Sequence, residues 1–170
     1  FRLIIYICVY NPKNFSCMIN RELYMEQITP FIDKPFVKVI TGIRRCGKSV
    51  VLRLIREELL RRGVSEDYII YMNFESFEWI DMKEAKALYA HIREATKASG
   101  KYYILLDEIQ EVTDWEKAVN AFLVDLDVDI YVTGSNSRLL SSEFSTYLAG
   151  RYVAFHIMTL SFREYLLFHD

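Results

Sequence analysis

Residues 36–62 read Phe-Val-Lys-Val-Ile-Thr-Gly-Ile-Arg-Arg-Cys-Gly-Lys-Ser-Val-Val-Leu-Arg-Leu-Ile-Arg-Glu-Glu-Leu-Leu-Arg-Arg, the most informative segment of the chain. The apolar run 36–40 predicts a buried strand. Apolar residues at helical spacing over 48–62 predict a helix, and Gly63 is placed to end it. Between the two lies a loop with two glycines. This segment therefore predicts a strand–loop–helix unit of an α/β fold.

The loop from Gly42 to Ser49 has the spacing G-x-x-x-x-G-K-S, which is that of a phosphate-binding P-loop. Its glycines allow backbone conformations and a close approach to phosphate that side chains would prevent. The free N–H groups at the start of the helix favour an anion. We expect Lys48 to contact the β- and γ-phosphates of ATP and the Ser49 hydroxyl to coordinate Mg²⁺. The predicted nucleotide-binding residues are Gly42, Ile43, Arg44, Arg45, Cys46, Gly47, Lys48, Ser49 and Val50.

Cys46 lies inside this loop, although phosphate chemistry does not require a thiol there. A cysteine at a helix N-terminus beside Arg and Lys is expected to have a lowered pKa. We interpret Cys46 as a tolerated small residue; the alternative hypothesis is that its oxidation blocks nucleotide binding.

Short apolar runs alternate with helical stretches along the rest of the chain. This alternation predicts a three-layer α/β/α P-loop NTPase sandwich with a five-stranded parallel sheet and right-handed crossovers. Ser161 and Glu164 have the spacing of a capping box at the start of the last helix. Besides 36–40, the predicted strands are 68–74, 102–106, 128–133 and 152–157; besides 48–62, the predicted helices are 20–31, 82–99, 114–126, 137–149 and 161–168.

Two carboxylates, Asp107 and Glu108, follow the predicted strand Tyr-Tyr-Ile-Leu-Leu. An aspartate at the tip of a buried strand is suited to hold Mg²⁺, as a Walker B acid does. Glu108 is then placed to orient or deprotonate the attacking water. The pair predicts that the site hydrolyses ATP.

A P-loop followed by an Asp-Glu pair resembles the ASCE division of P-loop ATPases, and within it the AAA+ family. The nearest likeness is to the prokaryotic AAA-type ATPases that carry a C-terminal domain of unknown function. The resemblance covers residues 18–170. It implies an ATPase whose hydrolysis is coupled to conformational change on an unknown client, either DNA or protein.

The resemblance also implies roles for residues at three further positions. Asn136, with Ser135 as second choice, matches the sensor residue that contacts the γ-phosphate after the fourth strand. Asn73 matches a residue that restrains the catalytic glutamate. Arg151, with Arg138 as a weaker candidate, matches an arginine finger that reaches a neighbouring subunit, which implies a homo-oligomer.

The domain organisation predicted from sequence has three parts. Residues 1–17 are interpreted as an extension or an extra edge strand, 18–160 as the ATPase core, and 161–170 as the start of a truncated helical lid. The apolar run 3–10 is too short to cross a bilayer, so no membrane association is expected. The three cysteines show no disulfide or zinc spacing, which favours the cytoplasm.

Charge and composition leave the client open. The formal net charge is −2, and 52% of residues are hydrophobic, as in a globular protein. The first strand–helix unit is nevertheless basic, which suits an anionic ligand and equally a solvated helix face. Two alternatives to an ATPase are a small-molecule kinase and a regulatory module that binds nucleotide with little turnover.

Overall fold

The computed structural model describes residues 21–135, 139, 147–161 and 164. Five parallel strands form one sheet in the order β2-β3-β4-β1-β5. The predicted α/β class and five-stranded parallel sheet are confirmed. The strands are β1 (Val37–Gly42), β2 (Ile69–Asn73), β3 (Tyr102–Asp107), β4 (Val128–Ser135) and β5 (Tyr152–Ile157).

Four helices cover the sheet in the described part of the chain: α1 (Glu22–Ile28), α2 (Lys48–Arg61), α3 (Ala85–Ala95) and α4 (Trp115–Asp125). All four are shorter than predicted, α2 and α4 by no more than two residues and α1 and α3 by more. α1 gives way to a 3-10 turn at Thr29–Phe31, which contains a proline at its start. The predicted helix 82–99 begins only at Ala85, because Met82 ends the 3-10 segment Phe77–Met82 and Glu84 is extended. It stops at Thr96, whose hydroxyl donates back to the Ile92 carbonyl at 2.9 Å. The predicted extension 1–17 and most of the predicted helices 137–149 and 161–168 lie outside the described residues.

The two faces of the sheet carry separate apolar clusters. On one face α3 and α4 pack over Val39, Leu106 and Val132. On the other face α1 and α2 pack over Ile40, Leu105 and Phe155. Burial on both faces explains why these strands are almost continuously apolar, and it confirms the three-layer sandwich.

β1 is held against β4 by a buried ion pair at its amino end. The Lys38 ammonium is fully buried and pairs with Asp129 of β4. It also donates to the Lys34 carbonyl at 2.9 Å, and the Tyr131 hydroxyl donates to Asp129 at 2.9 Å. Burial lowers the pKa of Lys38, and the charge of Asp129 opposes that change. Because a buried charge is stable only when it is paired, this network fixes the register of β1 on β4.

Candidate active site

The loop between β1 and α2 is compact because its two glycines admit contacts that a side chain would block. A Cβ on Gly42 would lie 2.4 Å from the Ile157 carbonyl oxygen and 2.5 Å from Cys46 Sγ. Gly47 has φ +99° and ends the loop directly before α2. The side chains of Ile43, Arg44 and Arg45 are exposed, whereas Ser49 and Val50 are half-buried at the start of the helix. The loop thus exposes the start of α2 at the carboxyl edge of the sheet, as a phosphate site requires.

Lys48 begins α2 and turns its side chain back across the loop. It is 4% exposed, and its ammonium lies 3.2 Å from the Glu108 carboxylate. The same ammonium donates to the Ile43 carbonyl at 3.4 Å. The phosphate-loop lysine and the predicted base are therefore in direct contact.

Asp107 ends β3 as a fully buried carboxylate. One oxygen accepts from the Thr133 hydroxyl of β4 at 2.5 Å, and the other accepts from the Tyr71 hydroxyl of β2 at 3.1 Å. Burial and the charge of Asp107 raise the pKa of Tyr71 far above its ordinary value, so the phenol stays a donor. Two flanking strands thus orient the carboxylate.

Glu108 follows with a left-handed backbone, φ 55° and ψ 48°. Its N–H donates to the Thr133 hydroxyl at 2.9 Å, so one threonine bridges both acidic residues. One carboxylate oxygen faces Lys48, and the other accepts from Gln110 Nε2 at 2.5 Å. Backbone and side chain of Glu108 are therefore both fixed.

Arg21, which immediately precedes α1, is a further residue of the site that sequence reasoning missed. Its guanidinium is 2% exposed and donates to the Cys46 carbonyl at 2.7 Å and the Met158 carbonyl at 2.9 Å. Its Nε pairs with Glu164 at 3.0 Å. The arginine joins the phosphate loop to the segment that follows β5.

Glu164 also completes the predicted capping box. Its backbone N–H donates to the Ser161 hydroxyl at 3.2 Å, and its carboxylate accepts from the Ser161 N–H at 2.7 Å. The spacing of these two residues revealed their mutual contact, but nothing in the sequence indicated that Arg21 would join them.

The expected low pKa of Cys46 is wrong. The residue is 3% exposed, and its burial raises the pKa of the thiol, while the charges of Lys48 and Arg21 only partly oppose this effect. The thiol is buried against Gly42, in the space that a Cβ at that position would enter. It is a packing residue of the loop, and the oxidation hypothesis loses its chemical basis.

Asn73 and Asn136 were both predicted to act near the γ-phosphate, and of these two the structure describes Asn73. Asn73 pairs in register with Asp107, but its side chain accepts the Glu75 N–H at 3.0 Å, and the contacts to Glu108 come from Lys48 and Gln110. Its restraining role stays a prediction. Asn136 and Arg138 lie outside the described residues, while Ser135 ends β4 beside Gly42.

Arg151 lies at the opposite edge of the sheet from the phosphate loop. Its carbonyl accepts the Val37 N–H at 2.9 Å, and its side chain donates to Asn120 at 3.2 Å. Val37 and Gly42 are the two ends of β1, about 17 Å apart. Arg151 therefore does not belong to the phosphate site of its own chain.

Sequence reasoning also missed Thr133, Tyr71 and Gln110, although the first two left some signal. Thr133 and Tyr71 are polar or amphipathic residues inside apolar strands next to the one that ends in Asp107. A polar group in a strand beside β3 can reach the carboxylate of Asp107, as both of these residues do. Gln110 follows Glu108 by two residues and had no distinguishing pattern.

The donors present suit Mg²⁺ and a nucleotide. A carboxylate from Asp107 and a hydroxyl from Ser49 are hard oxygen ligands, and Mg²⁺ in such sites takes its other ligands from phosphate and water. The missing side chain at Gly42 lets the loop pack closely against Ile157 and Cys46, while the side chains of Ile43, Arg44 and Arg45 stay exposed. Within the described ranges no group of three or more His, Cys, Asp or Glu residues could hold a metal by itself.

A parallel sheet with this loop at its carboxyl edge defines a P-loop NTPase. A family model described as an AAA domain matches residues 34–166, so the chain belongs to the AAA family. The resemblance to AAA+ ATPases is thereby confirmed, while the C-terminal domain of that likeness stays a prediction.

Two relatives extend over most of this chain. An uncharacterized protein of Haemophilus influenzae is 48% identical over 152 residues, covering 89% of this chain and 38% of that protein. An uncharacterized protein of Methanocaldococcus jannaschii is 34% identical over 153 residues, covering 90% of this chain and 32% of that protein. The chain spans about a third of the length of these relatives.

Solved structures share the fold at low identity. A variant of Thermotoga maritima RuvB has a TM-score of 0.56 at 13% identity, covering 86% of this chain and 48% of that one. AMPPCP-bound DnaA from Aquifex aeolicus gives 0.54 at 18%, covering 85% and 48%. Hsp104 with ATPγS and FITC casein gives 0.62 at 12%, covering 89% and 29%. At these identities the likeness shows the fold alone. Among the described residues, no helix is long and apolar enough to cross a membrane.

Proposed function

We propose that this chain binds ATP with Mg²⁺ and hydrolyses it. The observation that carries the proposal is the approach of the Lys48 ammonium to Glu108, at 3.2 Å, beside the buried carboxylate of Asp107. A phosphate-binding lysine (Lys48), a general base (Glu108) and a metal-binding carboxylate (Asp107) would thus act side by side, as hydrolysis of a phosphoanhydride needs.

The residues divide the reaction between them. The loop N–H groups bind the phosphates, and the Lys48 ammonium leaves Glu108 to contact a phosphate oxygen. Mg²⁺, held by Asp107 and Ser49, would supply positive charge to the phosphate oxygens. Glu108 accepts a proton from water while the water oxygen bonds to the γ-phosphorus. The bond from that phosphorus to the bridging oxygen breaks, ADP and inorganic phosphate leave, and Glu108 returns its proton to solvent.

We extend the proposal to a homo-oligomer in which Arg151 serves a neighbouring subunit. Arg151 lies about 17 Å along β1 from its own loop, so it contacts a γ-phosphate only in trans. Its side chain is exposed and, among the described residues, donates a hydrogen bond to Asn120 at 3.2 Å, which leaves the guanidinium accessible. An arginine supplied by a neighbour can raise kcat by about 10³–10⁵ in other P-loop enzymes.

Hydrolysis would drive conformational change on a DNA or protein client. Proteins with this fold include a DNA replication initiation factor and Hsp104, which was imaged with FITC casein. Stimulation of ATP hydrolysis by DNA or by an unfolded protein, each added alone, separates the two client classes.

The test of hydrolysis is the Glu108→Gln variant, which keeps the size of the side chain and removes the base. We expect phosphate release to fall at least about 100-fold with ATP binding retained. Glu111→Gln, on the same turn, is the matched control and keeps full activity. Undiminished phosphate release in E108Q contradicts the base assignment.

The two alternatives to an ATPase give other results in the same assay. ATP binding without turnover in the wild type indicates a regulatory module. ATP consumption that requires an added small-molecule acceptor indicates a kinase.

A further inference from the structure

The Glu108 carboxylate has two side-chain partners, and the proposed reaction treats them differently. Lys48 contacts one oxygen at 3.2 Å and also belongs to the phosphate loop. A bound γ-phosphate competes for this ammonium, so Lys48 is not available to orient Glu108 during hydrolysis. Gln110 donates to the other oxygen at 2.5 Å and has no place in phosphate binding. Gln110 is therefore the partner that stays bound to Glu108 when a γ-phosphate takes Lys48.

Gln110 is held for this contact by the local backbone. It is the middle residue of the 3-10 turn Ile109–Glu111, whose flanking Ile109 is fully buried. The side-chain amide packs against the end of β4, where a Cβ on Gly134 would lie 2.1 Å from Gln110 Oε1. The lack of a side chain at Gly134 therefore makes the room that the amide occupies.

The direction of the amide is fixed by Glu108. An ionised carboxylate only accepts hydrogen bonds, so the Nε2 group must face it, and Oε1 must face Gly134. Within the described part of the chain, that buried Oε1 has no hydrogen-bond partner. Leaving a buried acceptor unpaired costs about 1–3 kcal/mol. The contact with Glu108 is kept despite this cost.

We propose that Gln110 is a positioning residue that aims the Glu108 carboxylate at the attacking water once Lys48 has turned to the phosphate. The inference rests on the proposed ATPase function. In this role Gln110 acts on the rate of hydrolysis through Glu108 alone, by the hydrogen bond from Nε2 to that carboxylate.

The test compares Gln110→Met, which fills similar space without an N–H donor, with the wild type. We expect kcat for ATP hydrolysis to fall about 10–100-fold, with KM and the Kd of a non-hydrolysable ATP analogue within about twofold. The thermal midpoint should change little, because Met replaces the amide in a half-buried position. Glu111→Gln, the neighbouring residue, is the control and retains the wild-type kcat.

The double variant E108Q/Q110M supplies the decisive measurement. If Gln110 acts through Glu108, this double variant has the same residual rate as E108Q alone. A Q110M variant with wild-type kcat overturns the inference while leaving the ATPase proposal intact, and so does a further additive loss in the double variant. Absence of hydrolysis by the wild type overturns the ATPase proposal and this inference together.

Discussion

Lys48 and Glu108 are bound to each other at 3.2 Å, so the residue that should hold phosphate is also the counter-ion of the residue that should activate water. ATP must displace this contact. Removing the carboxylate should therefore favour ATP binding. We expect E108Q to bind a non-hydrolysable ATP analogue up to about fivefold more tightly than the wild type, since such a partly buried ion pair contributes up to about 1 kcal/mol. Titration calorimetry measures the difference, and weaker binding by E108Q would contradict it.

Cys46 should react slowly with thiol reagents. Its side chain is 3% exposed, and burial raises the pKa of the thiol, so little thiolate forms near neutral pH. In a chain with Cys8 and Cys17 replaced by Ser, labelling of the folded protein at pH 7.5 should be at least about tenfold slower than in urea. Equal rates in the two conditions would show that Cys46 is accessible and ionised.

Replacement of Arg21 by Ala should weaken both the fold and the phosphate loop. The change leaves the carbonyls of Cys46 and Met158 without their donors and Glu164 without its cation. We expect unfolding in urea to show a loss of about 3 kcal/mol, together with weaker ATP binding. Arg21→Lys keeps the charge but not the planar guanidinium, so it should recover only part of the stability and part of the ATP affinity. A loss below about 0.5 kcal/mol would contradict the role given to Arg21.

Glu164 should make stability depend on acid pH. Burial raises the pKa of this carboxyl, but hydrogen bonds from Ser161 and the charge of Arg21 lower it more, so its folded pKa lies below the unfolded value of 4.5. Its contribution is therefore present above pH 4.5 and is lost as the pH falls through the folded pKa. The stability difference between wild type and Glu164→Gln should shrink over that range. A difference that stays constant from pH 6 to pH 3 would refute this link.

Arg151 should complement a defective loop from another subunit. Lys48→Ala removes phosphate binding, and Arg151→Ala removes the trans contact, so each variant alone should hydrolyse ATP poorly. An equimolar mixture should regain part of the wild-type rate, because some interfaces pair an intact loop with an intact Arg151. Phosphate release measured before and after mixing provides the check. An R151A protein with full activity by itself would argue against the finger.

The sequence predicted the parts of the fold and site that depend on local patterns. Lys48 and Glu108 were predicted as candidate site residues because each belongs to a local motif that follows a strand, β1 or β3. Recognising such a motif requires no information from the rest of the chain. The ends of the helices were predicted less well, since Pro30 and the turn at Phe77–Met82 change the backbone locally.

Long-range contacts could not be predicted in the same way. Arg21 and Glu164 are 143 residues apart in the sequence, and Thr133 and Asp107 are 26 residues apart on neighbouring strands. Neither pair therefore has a short, recognisable sequence spacing that would predict its contact. Cys46 was misjudged for a related reason, because neighbouring charges in sequence suggested a low pKa whereas three-dimensional burial raised it.

The position of β1 between β4 and β5 has a consequence for how the protein is made. When a ribosome has just released β1, neither neighbour of that strand exists yet, because both are encoded more than eighty residues later. At about 5–20 residues per second, β1 waits on the order of ten seconds for β5. During this interval the apolar strand must be shielded by α2 or by a chaperone. The phosphate loop is thus synthesised before either strand that flanks β1, and it can take its final shape only after both have been made.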